Sequence, residues 1–114
     1  MPADGILRGG AAAVGIDVGG TKCLGVVVDD GGAVVATDRR PTPKGADNLV
    51  ATVTGLAEQL LDGLGDTGTD ASVGVGLPGS ITRRGVLTSS PHLPGVVDFD
   101  AASAFRERLG RPVA

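Results

Sequence analysis

Three apolar runs crowd into residues 12–41, and only two short breaks separate them. "AVGIDV" meets "KCLGVVVD" across Gly19-Gly20, and "KCLGVVVD" meets "AVVATDRRP" across Asp29-Asp30-Gly31-Gly32. Val and Ile dominate the runs, and their branched side chains suit a pleated surface. Connections this short cannot hold a crossover, so neighbouring runs must pair antiparallel. The spacing predicts a three-strand meander, and every later element has to pack against that sheet.

The next segment has a different period. Leu49, Val53, Leu56, Leu60 and Leu64 recur at helical spacing, and Val50, Ala57 and Leu61 widen the stripe. Asp47 falls in the expected first turn, where negative charge suits the helix dipole, and Gly63 and Gly65 offer stops. "ASVGVGL" follows, a short apolar run bounded by breakers. A helix between two strands makes a crossover, so this fourth strand is expected parallel to the first. The long polar stretch "PGSITRRGVLTSSPHLPG" has room for a small hairpin around Arg84-Gly85. A second helix is expected from about Asp98 as its N-cap, burying Ala102, Phe105 and Leu109 and closing at Gly110. "RPVA" reads as the first residues of a fifth strand. The order β-β-β-α-β-α-β predicts an α/β domain of the ribonuclease H-like kind, with a mixed five-stranded sheet whose last strand is cut short. Residues 1–12 read as a flexible leader, and 13–114 as one domain.

Composition narrows the function. A chain of 114 residues supports one domain with a core, and with 2% aromatics that core must be Val, Leu, Ile and Ala. A net charge of −3 argues against nucleic acid or an anionic membrane as partner. No run approaches the ~18 apolar residues of a membrane span, and the start shows no signal-peptide pattern. A single cysteine, Cys23, excludes an internal disulfide and fits the cytoplasm. Its simplest role is a small buried hydrophobe.

The chemistry concentrates in "DVGGTK". Asp17 at the end of a buried strand can hold a hydrated Mg²⁺, which takes oxygen ligands and keeps several waters. Gly19 and Gly20 let backbone N–H groups approach an anion. The Thr21 hydroxyl and the Lys22 ammonium can meet phosphate oxygens. Together these groups suit a nucleotide polyphosphate with its metal. A plain Gly-Gly hairpin turn accounts for the glycines as well, but leaves Asp17 in an apolar strand without a reason. "GVGLPG" matches the dinucleotide pattern G-x-G-x-x-G, yet that fingerprint needs a helix opening directly after it, and "SITRRGVLTS" has no helical period. Pro78, Gly79 and Ser80 instead sit where a strand ends near the carboxyl end of the first, so they either floor a ligand site or form a turn. His92, Arg39-Arg40 and Arg83-Arg84 read most simply as structural or solvated loop residues. No Cys/His cluster suggests structural zinc.

In this order, "GIDVGGTK", "DDGG", "GVGLPG", "SSPHLPG" and "ERLGRPV" resemble the ROK (repressor, open reading frame, kinase) family of the actin-like, hexokinase-like ATPase superfamily, from about Val14 to Val113. The resemblance implies the amino-terminal lobe of a two-lobed, ATP-dependent sugar kinase, with ATP and Mg²⁺ as cofactors and the 6-hydroxyl of a glucose-like hexose as acceptor. Asp17 would stand near the Mg²⁺–ATP phosphates, and Gly19, Gly20, Thr21 and Lys22 would line the phosphate loop. Gly79 would touch the sugar, with Pro78 and Ser80 shaping that wall. The family's Asn-Asp pair, whose aspartate is the base, would fall a few residues beyond Ala114. The family usually has Asn where this chain has His92, and often an aromatic where Val96 stands. A homo-oligomer is expected of the full-length form. Two other readings compete: a sugar-responsive regulator of the same family, for which a dozen leader residues are too few to build a helix-turn-helix, and a non-catalytic fragment.

Overall fold

The computed structural model describes residues 12–114, so the expected leader falls almost wholly outside the described residues. Strands β1 (Ala13–Val18), β2 (Lys22–Val28) and β3 (Val34–Pro41) form the meander, and helix α1 (Ala46–Gly63) carries the chain back to β4 (Ser72–Gly76). The sheet order is β3-β2-β1-β4. β1 pairs antiparallel with β2 and parallel with β4, as the hairpin and crossover arguments require. Asp29 fixes the β2–β3 turn: its Oδ1 accepts from the N–H groups of Gly31 and Ala33, both at 2.9 Å, while Gly32 takes φ +88°.

Alternation along β1 sets the two faces of the sheet. Val14, Ile16 and Val18 are buried, while Asp17 is exposed on the other side. The buried face receives α1 through Leu49, Val53, Leu56, Ala57 and Leu60. Burying each such Val or Leu contributes about 1.5–3 kcal/mol. Gly25 governs how closely helix and sheet approach. A Cβ there would stand 2.6 Å from Leu60 Cδ1 and 3.1 Å from Leu56 Cγ. Arg40, expected as a solvated residue, instead reaches across from β3 and donates from Nη2 to Gln59 Oε1 of α1.

A second, small antiparallel sheet follows. It is built from β5 (Ser80–Ile81), β6 (Val86–Ser89) and β7 (Phe99–Asp100). Its hairpin lies where Arg84-Gly85 suggested, but β7 carries no sequence signal of its own. β7 also moves the start of helix α2 (Ala101–Leu109). The N-cap is Asp100, whose Oδ1 accepts from Ser103 N at 3.2 Å, and not Asp98, which stands at φ +47° two residues earlier. The buried positions of α2 are Ala101 and Phe105, with Ala102 and Leu109 only partly covered. Gly110 closes the helix at φ +67°, donating to Arg106 O. Ala114 lies against β4, donating to Val73 O at 3.0 Å and accepting from Val75 N at 2.9 Å. Residues 111–114 nevertheless form no strand, so the main sheet has four strands where five were expected. Among the described residues no helix is long and apolar enough to cross a membrane.

Candidate active site at the carboxyl ends of β1 and β4

Parallel pairing brings two loops to one end of the sheet. Asp17 is in register with Gly76 on β4 and Leu24 on β2, so the β1–β2 turn and the β4–β5 loop leave from the same edge. Asp17 stands on the open face above a shallow depression of about 350 Å³ lined by Gly15, Leu24, Val26, Gly74 and Gly76. A Cβ on Gly76 would come within 3.7 Å of Asp17 Oδ1, so glycine there keeps the space beside the carboxylate open. Among the described residues the Asp17 carboxylate has no hydrogen-bond or ion-pair partner. An exposed lone carboxylate fits a hydrated Mg²⁺, which is commonly held by one or two carboxylates plus substrate phosphates. It does not fit a closed protein cage, and the described residues contain no group of three or more His, Cys, Asp or Glu able to form one.

The two glycines of the β1–β2 turn differ in what the fold requires of them. Neither Gly19 nor Gly20 adopts the left-handed conformation that would demand glycine. At Gly19 a Cβ would press on Lys22 O at 3.1 Å, so packing explains that residue. At Gly20 the nearest atoms are His92 Cβ at 3.5 Å and His92 Nδ1 at 3.6 Å, which is ordinary contact distance. Neither backbone shape nor crowding accounts for glycine at position 20. What remains is open backbone. The N–H groups of Gly20 and Thr21 meet no acceptor among the described residues, and the Thr21 and Lys22 side chains are exposed and unpartnered. Free amides beside an ammonium and a carboxylate can receive a phosphate and its metal.

Gly79 behaves differently. It takes φ +116°, and a Cβ would overlap the carbonyl oxygen of Ser89, so the fold requires glycine there whatever its ligand. Pro78 is half-buried and Ser80 exposed. β5 follows Gly79 directly, which removes the helix a dinucleotide fingerprint needs.

Two residues flank the turn: His92, read from the sequence as a structural or solvated loop residue, and Thr42, which the sequence did not mark out. Leu93 and Val96 plug into the core and leave His92 exposed over Gly20. Thr42, just past β3, donates from Oγ1 to Gly19 O at 2.8 Å and from its backbone N to Thr21 O at 3.0 Å. Contacts across 21–23 residues of chain have no local signature. Cys23 is fully buried, as its composition suggested, with Sγ 3.6 Å from Thr42 Oγ1. Burial raises its thiol above the ordinary range, the Thr42 hydrogen bond works against that rise, and the nearby Asp17 charge adds to it.

The profile of the ROK family matches residues 13–114. The chain belongs to the ROK family. Among its relatives, an N-acetyl-D-glucosamine kinase from Photobacterium profundum is 33% identical over 100 residues, which is 87% of this chain and 32% of the relative. The ROK hexokinase of Thermus thermophilus superposes with a TM-score of 0.74 at 36% identity, covering 90% of this chain and 33% of that one. The ROK glucokinase of Streptomyces griseus, solved with glucose and AMPPNP, gives a TM-score of 0.80 at 25% identity, covering 90% and 32%. This chain thus spans about a third of the length of these sugar kinases, and it has their actin-like ATPase fold.

Proposed function

We propose that residues 13–114 form the amino-terminal lobe of an ATP-dependent hexose kinase, phosphorylating a glucose-like sugar at its 6-hydroxyl, in a protein longer than this chain. Gly20 carries the reading: a glycine with no conformational or packing reason to be one, exposing free amides between Asp17 and Lys22. In this role Gly19, Gly20 and Thr21 offer backbone and hydroxyl donors to the ATP phosphates, and Lys22 neutralises their charge. Asp17 holds the waters of Mg²⁺, which when bound offsets negative charge on the phosphates. Pro78, Gly79 and Ser80 form a wall of the sugar site across the same sheet end. Catalysis of this kind rests on positioning and preset dipoles, which suits a turn fixed between two core strands. A homo-oligomeric cytoplasmic enzyme acting on small molecules fits the charge balance and the kinase relatives.

The test is a titration of isotope-labelled chain followed by amide NMR. Mg-ATP should shift Gly20 and Thr21, with a much smaller response when Mg²⁺ is chelated, and glucose should shift Gly79 and Ser80. In the chain extended to its relatives' length, ATP-dependent formation of hexose 6-phosphate is expected. Silence at Gly20 and Thr21 at millimolar nucleotide, in both the short and the extended forms, would sink the proposal.

A further inference from the structure

Resting on that reading, we infer that Thr42 is a positioning residue that aims the Gly20 amide into the phosphate site. All described peptide bonds are trans, and in a trans peptide the C=O and the following N–H point in opposite directions. Thr42 Oγ1 holds the Gly19 carbonyl toward β3 at 2.8 Å, so the Gly20 N–H of that same peptide faces away from β3. Thr42 N holds the Thr21 carbonyl at 3.0 Å, which fixes the peptide at the other end of the turn. The intervening Gly20–Thr21 peptide has no internal partner at either end. One residue thus pins both flanks of the turn and leaves its middle free for a ligand.

Local sequence makes Thr42 a stiff bracket. It lies in "PTP", between Pro41 and Pro43. Pro43 restricts Thr42 to extended backbone, Pro41 has its own φ fixed, and the branched Thr side chain has few χ1 choices. Pro41 is opposite Lys22 in the β2–β3 ladder, which sets Thr42 level with Thr21. The hydroxyl proton goes to Gly19 O, and the same Oγ1 lies 3.6 Å from Cys23 Sγ.

The test compares Thr42→Val, which keeps shape and loses the hydroxyl, with Thr42→Ser, which keeps the hydroxyl. The probe is Mg²⁺ with inorganic tripolyphosphate, titrated into the 114-residue chain. Thr42→Val should bind about three- to tenfold more weakly, the worth of one hydrogen bond, and Thr42→Ser within about twofold of the parent. The residual dipolar coupling of the Gly20 N–H should change in Thr42→Val and stay in Thr42→Ser, a readout that general loss of stability does not produce. If Thr42→Val does not fold, Pro43→Ala serves. It leaves the hydroxyl but loosens the backbone, and should weaken binding about two- to threefold with an altered Gly20 coupling. Parent-like binding and coupling in Thr42→Val, or in Pro43→Ala where that variant stands in, would overturn the positioning role and leave the phosphate site intact. So would a Thr42→Ser variant as weak as Thr42→Val. No response of the parent turn to tripolyphosphate would remove the phosphate site and the positioning role together.

Discussion

Gly20→Ala separates the needs of the fold from the needs of a ligand. The methyl would lie 3.5 Å from His92 Cβ, with no backbone oxygen nearer than 3.8 Å, and the residue is outside the left-handed region. Where a glycine's native conformation suits alanine, the substitution stabilises by about 0.4–1 kcal/mol through the unfolded chain. The expected change in folding free energy is therefore zero to about +1 kcal/mol. In urea, with a slope of ~1 kcal/mol per molar, the midpoint should hold or rise by up to about 1 M. Phosphate binding should move the other way. A methyl over the turn displaces an anion from the Gly20 amide, and a hydrogen bond to a charged group is worth ~1.5–3 kcal/mol, or roughly ten- to a hundredfold in affinity. Gly79→Ala is the control. With φ +116° and overlap on Ser89 O, it should cost at least ~2 kcal/mol and lower the urea midpoint clearly. Denaturation curves and calorimetric titration with Mg-tripolyphosphate on both variants give the answer. A Gly20→Ala chain that loses more than about 1 kcal/mol of stability, or binds phosphate like its parent, would refute the reasoning.

Other outcomes follow from the same geometry. Asp17→Asn removes an exposed, unpartnered charge, so stability should stay within ~0.5 kcal/mol while the Mg²⁺-dependent part of nucleotide binding drops about tenfold, read by titration with and without chelator. The Cys23 thiol is raised on folding, chiefly by burial, so its contribution to stability is fully present below the unfolded value of about 8.5 and lost as pH climbs through the folded value. Melts from pH 7 to 10 should slope down more steeply for the parent than for Cys23→Ala. Gly25→Ala forces Leu60 and Leu56 off the sheet and should cost about 1–3 kcal/mol, seen as a melting temperature lower by several degrees.

The meander was legible because Val-rich runs with breaks of only a few residues leave the chain no other pairing. Helix α1 was legible for a similar reason, since Leu49 through Leu64 repeat over four turns. The second helix was misplaced by two residues. Asp98 and Asp100 are chemically equal as caps, and only the pairing of Phe99 with Leu87 in the small sheet decides between them. At the site, Asp17 and the glycines could be picked out because they violate strand preference. Which glycine is there for a ligand could not be read, since that depends on where His92, Lys22 O and Ser89 O lie in space. Thr42 was invisible for the same reason. Its partners are remote in sequence, and "PTP" reads as an ordinary loop until β3 is laid beside β2.

The hairpin that follows Ser80 is not a free flap. Ala102 N donates to Gly85 O at 3.1 Å, and Gly85 lies so tightly on Ala102 that any side chain there would overlap it. Phe105 of the same helix meets Phe99 of β7 edge-on at 6.1 Å, and α2 in turn rests on α1. The wall carrying Pro78–Ser80 is thus bolted to the main scaffold through a helix terminus. If Pro78–Ser80 form the proposed sugar wall, a hexose arriving there would meet a contour cast in advance, and choice among sugars on this side would come from its fixed shape rather than from a loop folding down around the guest.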